Sequence, residues 1–326
     1  MIITKTPLRM SYVGGGSDLP SYYKKFGGAV ISTSVKKYVY IIVKERFEKG
    51  VRISYSSTEN VANYRDIKHP LVRHCLSMLN IEDNIEIVSI SDIPSSGTGL
   101  GSSSSFSVGL IKALTAFKGK VISTAKCAEL ACKLEIELCG SPIGKQDQYA
   151  ASFGGLKVYN FNEDDSVSIQ SVKCNLDTIR RLDEQTLAFY VGGKRSANKI
   201  LQLQSTELKK EKKLKNMSKM IALVWDLKNE LEAQSVENFG AILHENWLLK
   251  RAMSDGISNS YIDDIYNEGI ESGATGGKLL GAGGGGFMIF HAPSKKVRDE
   301  IRARLFKIRE VNLNLEPDGS SILHYR

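Results

Sequence analysis

The segment PSSGTGLGSSSSF at 94–106 holds the densest set of small residues able to meet a phosphate: Gly97, Thr98, Gly99, Leu100 and Gly101, then Ser102, Ser103 and Ser104. Glycines let a backbone turn tightly and bring its N–H groups against a ligand. A helix starting at such a loop adds the positive end of its dipole. Upstream, Ile85, Ile87, Val88 and Ile90 lie in a strand pattern; downstream, Phe106, Leu110, Ile111, Leu114 and Phe117 recur at helical spacing. Strand, loop and helix in that order favour an anion site, above all a phosphate chain, over a flexible Gly-Ser linker. The loop is no Walker A motif, since no Gly-Lys-Ser/Thr follows it, and its glycines lack the final two-residue gap of the dinucleotide pattern.

A second glycine cluster, KLLGAGGGGF at 278–287, fits GxGxxG but runs into the strand FMIF and not into a helix. Five glycines in the six residues 281–286 exceed the need of one turn, which predicts close approach to a ligand or to another backbone. A third polar stretch, GSPIGKQDQYAASFGG at 140–155, interrupts a helical pattern and carries Asp147 between two glutamines.

The elements that must hold these segments are strands and helices in both halves. AVISTSV, KYVYIIVKE and VRISYS read as strands, followed by helices near 103–118 and 123–139, the second capped by Ser123 or Thr124. LAFYVGG at 187–193 opens a half dominated by long helices to about residue 271, and GFMIFHA, VNLNLEP and SILHYR close the chain as strands. This predicts an α+β protein of two domains, 1–183 and 184–326. Of 326 residues, 42% are hydrophobic and 25% charged, an ordinary composition for a soluble globular protein, and no apolar run approaches a membrane span. Five cysteines without CxxC spacing read as reduced thiols, and the scattered histidines argue against zinc. The N-terminus reads as a first strand and not as a signal peptide, so a cytoplasmic protein is expected. The net charge of +8 suits small phosphorylated substrates. The basic run KKEKKLK at 209–215 has no interleaved aromatics and reads as a solvated helix face, so no nucleic-acid or membrane partner is expected.

Three segments together resemble the GHMP small-molecule kinases, named for galacto-, homoserine, mevalonate and phosphomevalonate kinases: TPLRMSYVGGGSDLP at 6–20, IPSSGTGLGSSSSF at 93–106 and KLLGAGGGGF. The resemblance implies a ribosomal-protein-S5-like N-terminal domain, a ferredoxin-like C-terminal domain, and an active site between them. It implies that residues 97–104 wrap the phosphates of ATP and that Mg²⁺ sits on Ser103 and Glu135, with Glu137 the competitor. By the same resemblance Asp147 orients or deprotonates the attacking hydroxyl, and Arg9 neutralises charge on the transferring phosphoryl group.

The acceptor is read from Gly15, Gly16 and Asp18, where GGGSD replaces the Gly-Glu-His-Thr-Asp string of galactokinases, and from Gly283 and Gly284 of the glycine cluster. GGGSDLP with GKQDQYAASFGG looks most like the heptose-phosphate branch of the family. A sugar already phosphorylated needs cations at its far end, and VGGKRSANK supplies Lys194, Arg195 and Lys199, with Arg195 foremost and Lys145 possible from the other side. The expectation is an ATP- and Mg²⁺-dependent kinase of the anomeric hydroxyl of a sugar phosphate, which could assemble as a homodimer. The alternatives are a fucokinase-type enzyme for a neutral sugar and a non-catalytic regulator that binds ATP and sugar.

Overall fold

The computed structural model describes residues 1–94, 97–193, 197–208 and 210–326. The first sheet is built on two long antiparallel strands, Ile2–Val13 and Gly28–Glu45. β-Branched residues dominate their buried faces, among them Val30, Ile31, Val35, Val39, Ile41 and Val43. Ile85–Ser91, Val51–Ser54 and Thr58–Val61 extend the sheet beyond the second strand, which also pairs with Lys157–Phe161. Two register shifts, at Pro7/Leu8 and Ser11/Val13, bracket Arg9. Such bulges bend a strand and re-aim its side chains, and Pro7 has no N–H to offer a ladder. The helix Ser102–Phe117 packs across the first two strands, and Ser105 Oγ donates to the Pro7 carbonyl at 2.8 Å.

The second sheet has four antiparallel strands in the order Arg309–Glu310, Thr186–Gly192, Gly286–His291, Gly276–Leu279. Helices Glu211–Glu232, Phe239–Arg251 and Ser260–Glu271 contribute to the core against it, where Trp247, Tyr266, Phe189 and Phe290 are buried together. The long helix Glu211–Glu232 joins the two lobes. Its Met217 and Met220 belong to this core, while Leu223, Val224, Leu227 and Leu231 belong to the core of the first sheet. Lys212, Lys215 and Lys219 of the same helix are exposed, the solvated face expected of that basic run.

The division at 183/184 does not describe the sheets. Leu315–Glu316 pairs with the second strand, and Ser321–Tyr325 pairs with the first, so the end of the chain returns to the N-terminal sheet. Pairing Ile2–Lys5 with Ser321–Tyr325 covers a strand edge that would otherwise present unpaired N–H and C=O groups. All five cysteines are free, with Cys75, Cys127 and Cys132 buried. Among the described residues no helix is long and apolar enough to cross a membrane.

Candidate active site

A cleft of about 720 Å³ lies between the lobes, lined from both sides. Its floor is the glycine loop. Gly97, Gly99 and Gly101 take φ of +74°, +74° and +72°, a left-handed alternation that side-chain-bearing residues rarely adopt. Gly101 is the N-cap of the helix Ser102–Phe117 and offers no side chain to it. The N–H donors of the first turn therefore stay open toward the cleft, which Ser102, Ser103 and Ser104 line. Leu100 departs from the expectation of an ATP contact. Its side chain is fully buried beneath the loop and its carbonyl accepts from Arg9 N at 3.0 Å, so it anchors the loop from below.

The helix after Ser123, whose hydroxyl does cap it, turns from α to π geometry over Lys133–Leu138. Widening the turn by one residue changes which side chains face the neighbouring helices. Glu135 is buried there, whereas Glu137 is exposed. One carboxylate oxygen of Glu135 accepts from Ser103 Oγ at 2.6 Å and the other from Gln148 Nε2 at 2.6 Å. Burial pushes this carboxyl up from its ordinary value, against hydrogen bonds from Ser103, Ser104 and Gln148. No cationic side chain pairs with Glu135 among the described residues. A buried, unpaired carboxylate touching a hydroxyl beside the phosphate loop fits a magnesium ion, whose other ligands would be phosphate oxygens and water. Among the described residues no group of three or more His, Cys, Asp or Glu could hold a metal by itself.

The stretch predicted to carry the catalytic aspartate forms the helix Gln146–Phe153, and its first three residues each hold a different functional group. Gln146 donates to Asp18 twice, through N at 3.2 Å and Nε2 at 3.1 Å. Asp147 receives Arg9 Nε at 2.7 Å and Nη2 at 2.5 Å, a bidentate pair in which Arg9 is buried and Asp147 partly open to the cleft. Gln148 reaches Glu135, as described. A third donor of Arg9, Nη1, bonds the Gly99 carbonyl at 2.6 Å and so ties the pair to the phosphate loop.

Asp18 is buried, and Gly16 N completes its set of donors at 3.0 Å. Burial, and after it the charge of Asp147, raise its carboxyl above the usual range. Gly144 is pressed against it: a Cβ there would fall 1.9 Å from Asp18 Oδ2. Gly144→Ala is therefore expected to displace Asp18 and raise the acceptor KM while the ATP KM changes little. Steady-state kinetics with each substrate varied in turn measures both.

Gly16 lines the cleft, and Gly15 lies beside it, but Gly283 and Gly284 do not line it. Gly284 N bonds the Ile257 carbonyl at 2.9 Å, and a Cβ on Gly283 would meet the Ile257 backbone at 2.7 Å. The members of that cluster that line the cleft are Gly281 and Ala282. A Cβ on Gly281 would sit 2.5 Å from Gly99 Cα, so this glycine lets the second lobe close on the phosphate loop backbone to backbone. Lys194 and Arg195 lie outside the described residues; Gly193 and Asn198 on either side of them line the cleft. Lys199 is exposed, and Lys145 is engaged elsewhere, its ammonium 3.0 Å from Asp165 Oδ1 and over the Tyr23 ring. Among the lining residues that the sequence reading did not single out are Lys250, near the end of Phe239–Arg251, and Gln204, in Ala197–Glu207. In sequence, Lys250 looks like the cation that commonly ends a helix, and Gln204 like part of a polar surface.

Such a cleft, with its open helix terminus, buried carboxylate and guanidinium-held aspartate, suits a phosphate chain beside a polar small molecule. The sequence comparisons supply the family. A profile described as "GHMP kinases N terminal domain" matches residues 67–155, and one described as "GHMP kinases C terminal" matches 226–308. The chain belongs to the GHMP kinases, ATP-dependent kinases of sugars and related metabolites. It is 29% identical to a D-glycero-alpha-D-manno-heptose 7-phosphate kinase of Campylobacter jejuni, over 93% of this chain and 92% of that protein. It is 24% identical to an L-fucokinase/L-fucose-1-P guanylyltransferase of Bacteroides fragilis, over 91% of this chain and 35% of that protein. The crystal structure of a D-glycero-D-manno-heptose 1-phosphate kinase from Bacteriodes thetaiotaomicron superposes with a TM-score of 0.82 at 21% identity, covering 100% of both chains. The two-domain α+β fold is thus that of the family.

Proposed function

We propose that the protein transfers the γ-phosphoryl group of ATP to the anomeric hydroxyl of D-glycero-D-manno-heptose 7-phosphate, giving the 1,7-bisphosphate that feeds nucleotide-activated heptose for surface polysaccharide. The observation that carries this reading is the helix start Gln146–Asp147–Gln148, which links the acceptor carboxylate Asp18, the Arg9 guanidinium and the metal carboxylate Glu135 in three successive residues. The similarity to a heptose 7-phosphate kinase over nearly the whole chain supports the choice of sugar.

Asp18 and the Gly15–Gly16 backbone would hold the sugar hydroxyls. Asp147, steadied by Arg9, orients the attacking hydroxyl and accepts its proton. The acceptor oxygen forms its bond to the γ-phosphorus as the bond from that phosphorus to the bridging oxygen breaks, and the bonding pair leaves on ADP. Ser103 and Glu135 would hold Mg²⁺, which supplies charge neutralisation on the phosphates. ADP release measured over a panel of sugars and sugar phosphates, with phosphorus NMR of the product, tests the reaction and the position phosphorylated. Turnover of every sugar except the heptose phosphate would overturn the choice of acceptor, and no turnover of any would favour a non-catalytic regulator.

One observation favours the neutral-sugar reading: Lys145, one of the cations expected to meet a sugar phosphate, is committed to Asp165. Arg195→Ala separates the two. Losing a charge-assisted contact of about 1.5–3 kcal/mol corresponds to a roughly 10- to 150-fold fall in kcat/KM for the phosphorylated sugar. Activity on the unphosphorylated heptose and the KM for ATP should stay nearly constant. Equal loss with both sugars would move Arg195 to the transferring phosphoryl group.

A further inference from the structure

Two buried cations, Arg9 and Lys250, line the cleft and Lys278 is buried near them; two of the three are answered. Arg9 has Asp147, and Lys278 Nζ donates to the carbonyls of Ser11 at 2.9 Å and Tyr12 at 2.7 Å. The third, Lys250, is only 5% exposed, and among the described residues its one hydrogen-bond partner is the Gly281 carbonyl. No carboxylate lies within ion-pair distance of it among the described residues. An ammonium has three donors, so two remain, and a buried charge without a counter-charge is costly unless a ligand supplies one.

The free side of Lys250 is polar and open. A Cβ placed on Gly15 would lie 3.8 Å from Lys250 Nζ, 3.8 Å from Gln146 Nε2 and 3.6 Å from Ser11 Oγ. Those three groups therefore converge beside Gly15, and the hydroxyl of Ser11, buried there without a partner, is able to donate. Arg9, meanwhile, uses three of its five donors inside the protein, on Asp147 and Gly99. A species with several acceptor oxygens and negative charge would satisfy the spot.

We propose that Lys250 is the second cation of phosphoryl transfer, its ammonium hydrogen-bonding the oxygens of the phosphoryl group as it passes from ATP to the acceptor, beside Arg9. This rests on the kinase reading above. Lys250 moves no proton in the step: the acceptor oxygen makes the new bond to phosphorus, the bridging bond to ADP breaks with its electron pair, and the hydroxyl proton goes to Asp147. Charge is neutralised where it develops, a contribution that works best in a site already shaped for it. The charged groups around Lys250 are Arg9 and Lys278, which oppose its protonation, and Asp18 and Asp147, which favour it. Burial, followed by Arg9, brings its ammonium down to about 8.

The test compares wild type, Lys250→Met and Lys250→Arg in binding ADP with Mg²⁺, alone and with aluminium fluoride as a mimic of the phosphoryl in flight, by calorimetry. Lys250→Met should bind ADP as wild type does but lose roughly 10- to 100-fold in the extra affinity for the mimic. Without ligand it should melt no lower than wild type, since it loses an unpaired buried cation. Lys250→Arg should recover much of the mimic's affinity. In wild type kcat/KM should fall as pH rises above about 8, the range where Lys250 loses its proton, and Lys250→Arg should carry no such limb. A mimic bound equally by wild type and Lys250→Met, or an equal loss of plain ADP, overturns the assignment. A wild type that gains nothing from aluminium fluoride overturns phosphoryl transfer itself, and the role of Lys250 with it.

Discussion

Asp147→Asn is expected to lower kcat by about a thousandfold, the size commonly lost with a positioned general base, while ATP binding by calorimetry stays measurable. The reason is local. Arg9 grips both carboxylate oxygens, at 2.7 and 2.5 Å, and an asparagine can offer only one acceptor to that fork. Its NH₂ group would face guanidinium N–H, donor against donor, so the side chain must turn or the fork must open. Either way the group meant to meet the attacking hydroxyl loses both its charge and its placement. The phosphate loop keeps its support from the Arg9 backbone, whose N–H bonds the Leu100 carbonyl, even where the Arg9 side chain shifts its contact with the Gly99 carbonyl. Asp147 also helps raise the Asp18 carboxyl, so the variant should let Asp18 ionise more easily. A shift in the pH dependence of acceptor binding is the secondary readout. Near-normal kcat in a folded variant would sink the assignment of Asp147.

The part of this site that sequence made legible is the part written in local composition. Gly97, Gly99 and Gly101 followed by serines between an apolar strand and an amphipathic helix can be read without any long-range information, and the helix begins at Ser102. In the sequence, Glu135 is preferred to Glu137 only through the family resemblance. The π turn that buries one and exposes the other depends on packing against other helices and leaves no mark in the pattern. Leu100, Gly283 and Gly284 sat inside recognisable stretches yet serve the backbone: one plugs the loop from below, and two let Ile257 approach. The return of Ser321–Tyr325 to the first sheet, and the arrival of Lys250 and Gln204 in the cleft, are contacts across long stretches of chain. Periodicity records that a face is buried, not what it meets.

Glu135→Gln is expected to cost at least about a hundredfold in kcat/KM at limiting Mg²⁺, since losing a ligand should cost no less than losing its outer-shell support. The fold should survive. Gln148 donates its amide to one Glu135 oxygen, and its own Oε1 is buried without a partner. Flipping that amide lets Gln148 accept from the new NH₂, while the new carbonyl keeps the Ser103 hydroxyl at its 2.6 Å contact. The electrostatics point the same way. Because burial raises the Glu135 carboxyl above its unfolded value, the folded state binds more protons between the two values. This group therefore lowers stability as pH rises from the unfolded value through the folded one, and at higher pH the full cost of an unpaired buried charge remains. Replacing it with neutral glutamine removes that cost, so the ligand-free variant should melt no lower than wild type at pH 7. The stabilisation added by Mg²⁺ with ATP should shrink, however, because binding to the folded state is what shifts the melt. Glu137→Gln, at an exposed position two residues further along, should leave both kinetics and melting unchanged. If Glu137 were the damaging site, or if Glu135→Gln kept its response to Mg²⁺, the metal would have to be held elsewhere along the phosphate loop.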